Sequence, residues 1–447
     1  MISTAEVYLW GTKIGVIHKE EDKAYASFEY DRNFAGSGIE LSPIMMPLSG
    51  RVFEFPDLAE GSFRGLPGLI ADSLPDRFGN AVINRWLVSQ GKTDDDFTVL
   101  DRLCYTGSRG MGALEFVPAT GPGSDLSEEI NVREMVAFAS KVLHSREDLR
   151  ETKIDEAGLE QLLKFGTSAG GARAKAIIAW NEDTNEIRSG QVDAGEGFDY
   201  WLMKFDGVNG NGDHDREDDP EYTLIEYAYY RMALAAGIAM NECRLYGEGE
   251  RHHFMTKRFD RMNGKKLHMQ TLGAIAHIDY NYPGLCSYEQ AAGCMRRMNL
   301  PASDMEQLFR RMVFNVMAVN QDDHVKNISF LMDRDGIWRL APAYDLTFSY
   351  DPSNLWLSSH QMLVNGKSAG ITLQDMMESG RNMDISTTRC SRIISEVSAA
   401  VARWPQFAGE CGIREKTVDM ISKITAEAVR PPSPPRSAGP GSPGGPG

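Results

Sequence analysis

Between Asp322 and Asp345 the sequence prescribes its own geometry. The run Asp322-Asp323-His324-Val325-Lys326-Asn327 leads into the apolar stretch Ile328 to Met332, a polar turn Asp333-Arg334-Asp335-Gly336, and a second stretch from Ile337 to Leu340. Two short apolar runs around a polar, glycine-containing turn read as a β-hairpin. Such a hairpin folds the chain back and returns Asp345, eighteen residues after Asn327, to its side. Whatever else the chain does, it has to present an acidic loop and a further aspartate to one space.

That arrangement has a chemistry. Phosphoryl transfer needs a carboxylate that receives the hydroxyl proton or orients the nucleophile, and oxygen ligands that hold Mg²⁺ against the phosphates. Protein kinases supply these as an Asp, an Asn five residues later, and a further Asp across a hairpin. Asp322, Asn327 and Asp345 follow that order. The spacing Asp-x₄-Asn also arises in ordinary acidic loops; the hairpin and the second Asp favour phosphoryl transfer.

The bulk of the chain narrows its class. At 447 residues it is too long for a single core of ordinary size, and its 42% hydrophobic content is enough to fill two or three. With 47 basic against 63 acidic residues the net charge is −16, and no Lys/Arg block is present, which argues against unaided binding to nucleic acid. Cys104, Cys243, Cys286, Cys294, Cys390 and Cys411 are scattered without a C-x-x-C pair, as reduced thiols are. No signal peptide opens the chain and no apolar run reaches about 18 residues, so a soluble cytoplasmic protein is expected.

Along the chain, Val7 to Trp10, Ile14 to Ile17 and Tyr25 to Phe28 predict a small antiparallel sheet, with helical pattern from about Leu66. The Gly- and Pro-punctuated runs Gly65 to Asp76 and Gly107 to Leu114 read as helix-loop junctions. A helix from Leu159 to Phe165, strands at Lys175 to Trp180 and Trp201 to Lys204, and a helix from Leu224 to Met232 predict a lobe of sheet plus helix. A long helix from Asp304 into Asn320 carries Met305, Leu308, Phe309, Met312, Val313, Val316 and Met317 on one face, with Ser303 and Glu306 as its capping box. The last seventeen residues hold seven Pro and five Gly and predict a disordered tail.

Other residues gain meaning beside the acidic loop. Gly166 to Lys175 is not a Walker A loop, because Ala172 stands where Lys is required. It reads first as a flexible turn, although its small residues let backbone N–H groups approach phosphate oxygens. Lys204 ends a predicted strand, from which a kinase lysine reaches phosphates; Glu226 on the following helix reads first as a solvated helix charge, with a pairing to Lys204 as the alternative. The nine histidines form no H-E-x-x-H, and no G-x-S-x-G is present, so neither a zinc enzyme nor a serine hydrolase is supported.

Taken in order, the loop from Gly166 to Lys175, Lys204, Lys257-Arg258-Phe259-Asp260-Arg261, Asn320-x-Asp322-x-His324-x-Lys326-Asn327 and Ala343-Tyr344-Asp345 resemble the HipA family of serine/threonine protein kinases, toxins of HipBA toxin–antitoxin systems. Asp72-Ser73-Leu74-Pro75-Asp76 and Gly110-Met111-Gly112-Ala113-Leu114 resemble the small domain that precedes the kinase core in that family. The likeness spans residues 5–425.

The resemblance implies an α+β, two-lobed protein-kinase-like (HipA-like) fold. It would comprise a small N-terminal β-rich domain at 1–120, a linker and kinase N-lobe at 121–262, a helical C-lobe at 263–430 and the tail at 431–447. It implies ATP and Mg²⁺ as cofactors, Asp322 as catalytic base, and Asn327 and Asp345 as metal ligands. Lys204 would be the phosphate-binding lysine, and Gly170, Gly171, Ala172, Arg173, Ala174 and Lys175 would form the loop over the phosphates. Lys257, Arg258 and Phe259 would be the hinge that meets adenine, with His324, Lys326 and Tyr344 also at the nucleotide. Lys257 stands where some members carry Glu, so backbone recognition of adenine is expected there. Ser168 matches the autophosphorylated serine, with Thr167 beside it; a phosphate in that loop would repel ATP.

Implied partners are a HipB-like DNA-binding antitoxin and a cytosolic protein substrate of the aminoacyl-tRNA synthetase type, with DNA reached only through the antitoxin. A corepressor subunit with little catalysis is the competing reading. Lipid kinases share the architecture, but no basic amphipathic helix points to a membrane.

Overall fold

The computed structural model describes residues 1–93, 96–121, 130–144, 173–208, 221–262 and 264–428. The expected helix at 159–165, the loop residues Gly170, Gly171 and Ala172, the acceptors Thr167 and Ser168, and the tail at 431–447 lie outside them.

The first sheet is antiparallel and five-stranded, in the order Val52–Glu54, Ser27–Tyr30, Thr12–His18, Thr4–Leu9 and Leu114–Val117. Alternation sends Ala5, Val7 and Leu9 inward. Gly15 lets neighbouring strands close up: a Cβ there would stand 2.4 Å from the Glu29 carbonyl. The three expected strands are present, whereas Leu114–Val117 was hidden behind the glycines of the run before it.

A second antiparallel sheet runs Glu186–Ser189, Lys175–Asn181, Asp199–Lys204, Arg251–Lys257 and Cys243–Glu248. The helix Tyr222–Ala235 packs on its Arg251–Lys257 and Cys243–Glu248 edge. On its other side Ile178, Met203 and Met255 share a core with Phe78, Val82, Ile83 and Leu87 of the helix Arg77–Ser89. An early segment of the chain therefore builds the wall of the second sheet.

The remainder is helical around the helix Ala302–Met317, whose predicted apolar stripe is buried throughout. Its start differs from expectation. The helix begins two residues earlier, with Pro301 at the N-cap and no side-chain cap. Ser303 is already inside the first turn, where it cannot cap, and Glu306 instead pairs with Arg389 at 2.8 Å. The predicted hairpin forms from Ser329–Met332 and Trp338–Leu340, with His268–Thr271 added on its outer side. Sheets and helices together give the expected α+β fold. Among the described residues no helix is long and apolar enough to cross a membrane.

Candidate functional site

The acidic loop is positioned from behind by its second residue. Asp323, 2% exposed, accepts hydrogen bonds from the Tyr288 hydroxyl (2.9 Å) and the Gln361 backbone N–H (2.8 Å), with His360 Nδ1 at 3.1 Å. With Asp323 buried behind the loop, Asp322 is the aspartate that lines the cleft. There Asp322 Oδ1 accepts from Gln361 Nε2 at 2.8 Å, and the Asp322 carbonyl accepts from Asn327 Nδ2 at 2.8 Å. The amide oxygen of Asn327 is thereby left as the end it presents.

Across the hairpin, the Tyr344 hydroxyl bonds to the Lys326 carbonyl and to Ser329 Oγ, tying the returning chain to the loop. The next residue, Asp345, has a φ of +52°, a left-handed conformation that Asp tolerates better than most residues. Its carboxylate meets the ammonium of Lys204. Burial alone would raise the Asp345 pKa, but the charges of Lys204 and then Lys175 overcome it and hold it down to about 2.

Lys204 closes the strand Asp199–Lys204, and Glu226 projects from the helix Tyr222–Ala235 to within 2.6 Å of its Nζ. Glu226 is a buried partner, not a solvated helix charge. Burial works against the Lys204 cation, yet Asp345 and Glu226 together raise its pKa. Burial is also the largest influence on Glu226 and raises its pKa. With two carboxylates against one ammonium, the lysine is the member whose charge is secured.

The other expected residues divide. Arg173 lies over the Tyr222 ring at 4.6 Å, Ala174 is fully buried, and Lys175 faces Asp76 at 3.5 Å. Lys257 pairs with Asp199 at 2.6 Å. The Arg258 guanidinium is committed to a buried pair with Asp260 (2.7 and 2.9 Å). Backbone N–H groups of Lys257 and Arg258 bond to the carbonyls of Glu242 and Tyr200, both at 2.8 Å, and the Phe259 ring lies 5.5 Å from that of Tyr344. Lys326 Nζ sits over the Tyr280 ring at 4.2 Å, and His324 Nε2 is 4.0 Å from Asp322 Oδ1.

Asp322, Asn327, Asp345, Lys204, Lys175 and Lys257 to Phe259 all line one cleft of about 870 Å³. Four further contributors are not among the expected site residues. Gln361 and Asp323 hold the loop, and Asp72 and Asp76 come from the N-terminal segment. Asp72 accepts from the Thr271 N–H at 2.7 Å and its hydroxyl at 3.0 Å. The pair was visible as a motif without a role; Gln361 left no signal.

Comparison with known proteins gives this geometry a setting. Residues 5–117 match the HipA N-terminal domain and residues 167–404 the HipA-like C-terminal domain. A chain in the complex of HipA, HipB and operator DNA from Shewanella oneidensis MR-1 is similar over 95% of both chains, with a TM-score of 0.63 and 16% identity, a likeness of fold. A Haemophilus influenzae protein named "Putative kinase" is 29% identical over 159 residues, 32% of this chain and 46% of its own length. A Sinorhizobium fredii protein named "Putative kinase Y4mE" is 27% identical over 205 residues, 41% of this chain and 47% of its own. The chain thus spans about half the length of the curated relatives it matches.

Proposed function

The chain belongs to the HipA family, and we propose that it is an ATP- and Mg²⁺-dependent serine/threonine protein kinase, the toxin of a HipBA-type system acting in the cytoplasm. One observation carries the reading: Lys204, held between Glu226 and Asp345, opens on the cleft that Asp322 and Asn327 line. Kinases use such a lysine–glutamate pair to fix the lysine for phosphate contact.

The donor set suits the metal. The ionised Asp345 carboxylate and the Asn327 amide oxygen are hard oxygen ligands, and among the described residues no cluster of three His, Cys, Asp or Glu forms a closed metal cage. Mg²⁺ characteristically takes one or two protein oxygens and completes its shell with phosphate and water. When bound it would neutralise phosphate charge. The protein supplies the remainder. Asp322 receives the proton of the substrate hydroxyl, and Gln361 and Asn327 fix that carboxylate and its backbone. Lys204 faces the phosphates, and the Phe259 peptide and Tyr344 flank the base. Most of the rate gain comes from positioning and preset charge.

The substrate is a cytosolic protein, of the aminoacyl-tRNA synthetase type by resemblance, and autophosphorylation at Ser168 inactivates the enzyme. A HipB-like antitoxin is the partner, and the net charge of −16 fits DNA contact through it. The test is transfer of labelled γ-phosphate into a cytosolic lysate, with the acceptor site of the enzyme mapped by peptide mass. A labelled lysate protein and phosphate on Ser168 support the proposal. ATP binding with no transfer to any protein would favour the corepressor reading.

A further inference from the structure

Lys204 is not the only cation fixed over the cleft. Lys175 opens the neighbouring strand, its side chain is 3% exposed, and its Nζ lies 3.5 Å from Oδ2 of Asp76, also 3% exposed and ninety-nine positions earlier in the chain. That oxygen is buried, and Lys175 is its ion-pair partner.

Asp76 sits on a rigid shelf. Its Oδ1 caps the helix Arg77–Ser89 by accepting the Gly79 N–H at 2.5 Å. Asn80 Nδ2 donates to the Pro75 and Asp76 carbonyls at 2.7 and 2.9 Å, and Arg102 donates to Asn80 Oδ1 at 2.7 Å. The helix face below packs into the core of the second sheet. A carboxylate this constrained aims its second oxygen at one place, and Lys175 is there.

We propose that Asp76 is a positioning residue for phosphoryl transfer: the N-terminal segment reaches into the cleft and holds Lys175 toward the nucleotide phosphates, as Glu226 holds Lys204. The proposal rests on the reading of the cleft as an ATP site. It makes the N-terminal segment part of that site rather than a neighbour of it.

The test is ATP binding by calorimetry, with KM and kcat, for wild type, Asp76→Asn, Asp76→Ser, Lys175→Met and the double variant Asp76→Asn/Lys175→Met. Asn and Ser cap helices about as well as Asp, so both substitutions remove the charge and keep the cap. Each is expected to weaken ATP binding about tenfold, by raising KM more than it lowers kcat. The double variant should bind no worse than Lys175→Met, because Asp76 acts only through that lysine. Wild-type affinity in both neutral variants, or additive losses in the double variant, would overturn the proposal while leaving the kinase reading standing. No ATP binding by the wild type would overturn both.

Discussion

The carboxylate of Glu226 lies 2.6 Å from the ammonium of Lys204, and both side chains are more than nine-tenths buried. The pair is the hub of the cleft, since the same ammonium also meets Asp345. Replacing Lys204 by Met should abolish transfer, at least about a hundredfold, and destabilise the fold by about 3–5 kcal/mol, because Glu226 would be left buried beside Asp345 without a cation. Glu226→Gln should cost less, since Lys204 keeps Asp345 as its partner. Phosphate-transfer rates and urea midpoints of the two variants check this order.

Asp323 makes a second prediction. It binds Tyr288, His360 and the Gln361 backbone rather than facing the cleft. Asp323→Asn should cost about 1–3 kcal/mol of stability, because one buried acceptor becomes a donor facing donors. With the loop loosened, kcat should fall while ATP affinity holds. Calorimetry beside steady-state kinetics separates the two, and an unchanged kcat would show that the loop is held without it.

The seam between the N-terminal segment and the helical part titrates. His277 Nε2 accepts the Gly68 N–H at 3.0 Å, its ring packs edge-on to Phe55 at 4.3 Å, and burial pushes its pKa down to about 4. Buried His268 is likewise pushed down to about 4. A histidine depressed below its unfolded value of about 6.5 takes up its proton preferentially in the unfolded chain, so stability falls as pH drops from about 6.5 toward 4. Each contributes a loss of roughly 3 kcal/mol. Asp76, raised to about 6 chiefly by burial, works the other way and offsets part of that loss. Urea midpoints measured from pH 7 to 4.5 should therefore decline, and His277→Gln should flatten the decline. Gly68→Ala should disrupt the same seam at all pH values, since its Cβ would stand 2.1 Å from the Ala274 carbonyl.

What the sequence displayed and what it hid follow from range. The hairpin, the buried stripe of the long helix and the candidacy of Glu226 for Lys204 were readable, because each depends on periodicity, a turn or a short separation. Ser303 and Glu306 had the spacing of a capping box, but Pro301 starts the helix earlier, and spacing alone cannot fix the first residue of a helix. The meeting of Lys204 with Asp345, 141 positions apart, and of Lys175 with Asp76 are products of packing between segments, which no local pattern encodes. The anchoring role of Asp323 is likewise invisible in the acidic run itself. The Asp-x₄-Asn spacing points to Asp322 as the cleft-facing aspartate, and the buried Tyr288 and His360 behind Asp323 supply the physical reason.

The decisive measurement is ATP binding and γ-phosphate transfer in the presence of Mg²⁺, made in parallel on the wild type and on Asp322→Gln and read by calorimetry and intact mass. If Asp322 is the base, both proteins bind ATP with similar affinity, and only the wild type gains phosphate or passes it to another protein. Equal transfer by the two would contradict the role given to Asp322, and ATP binding without transfer by either would contradict the kinase itself.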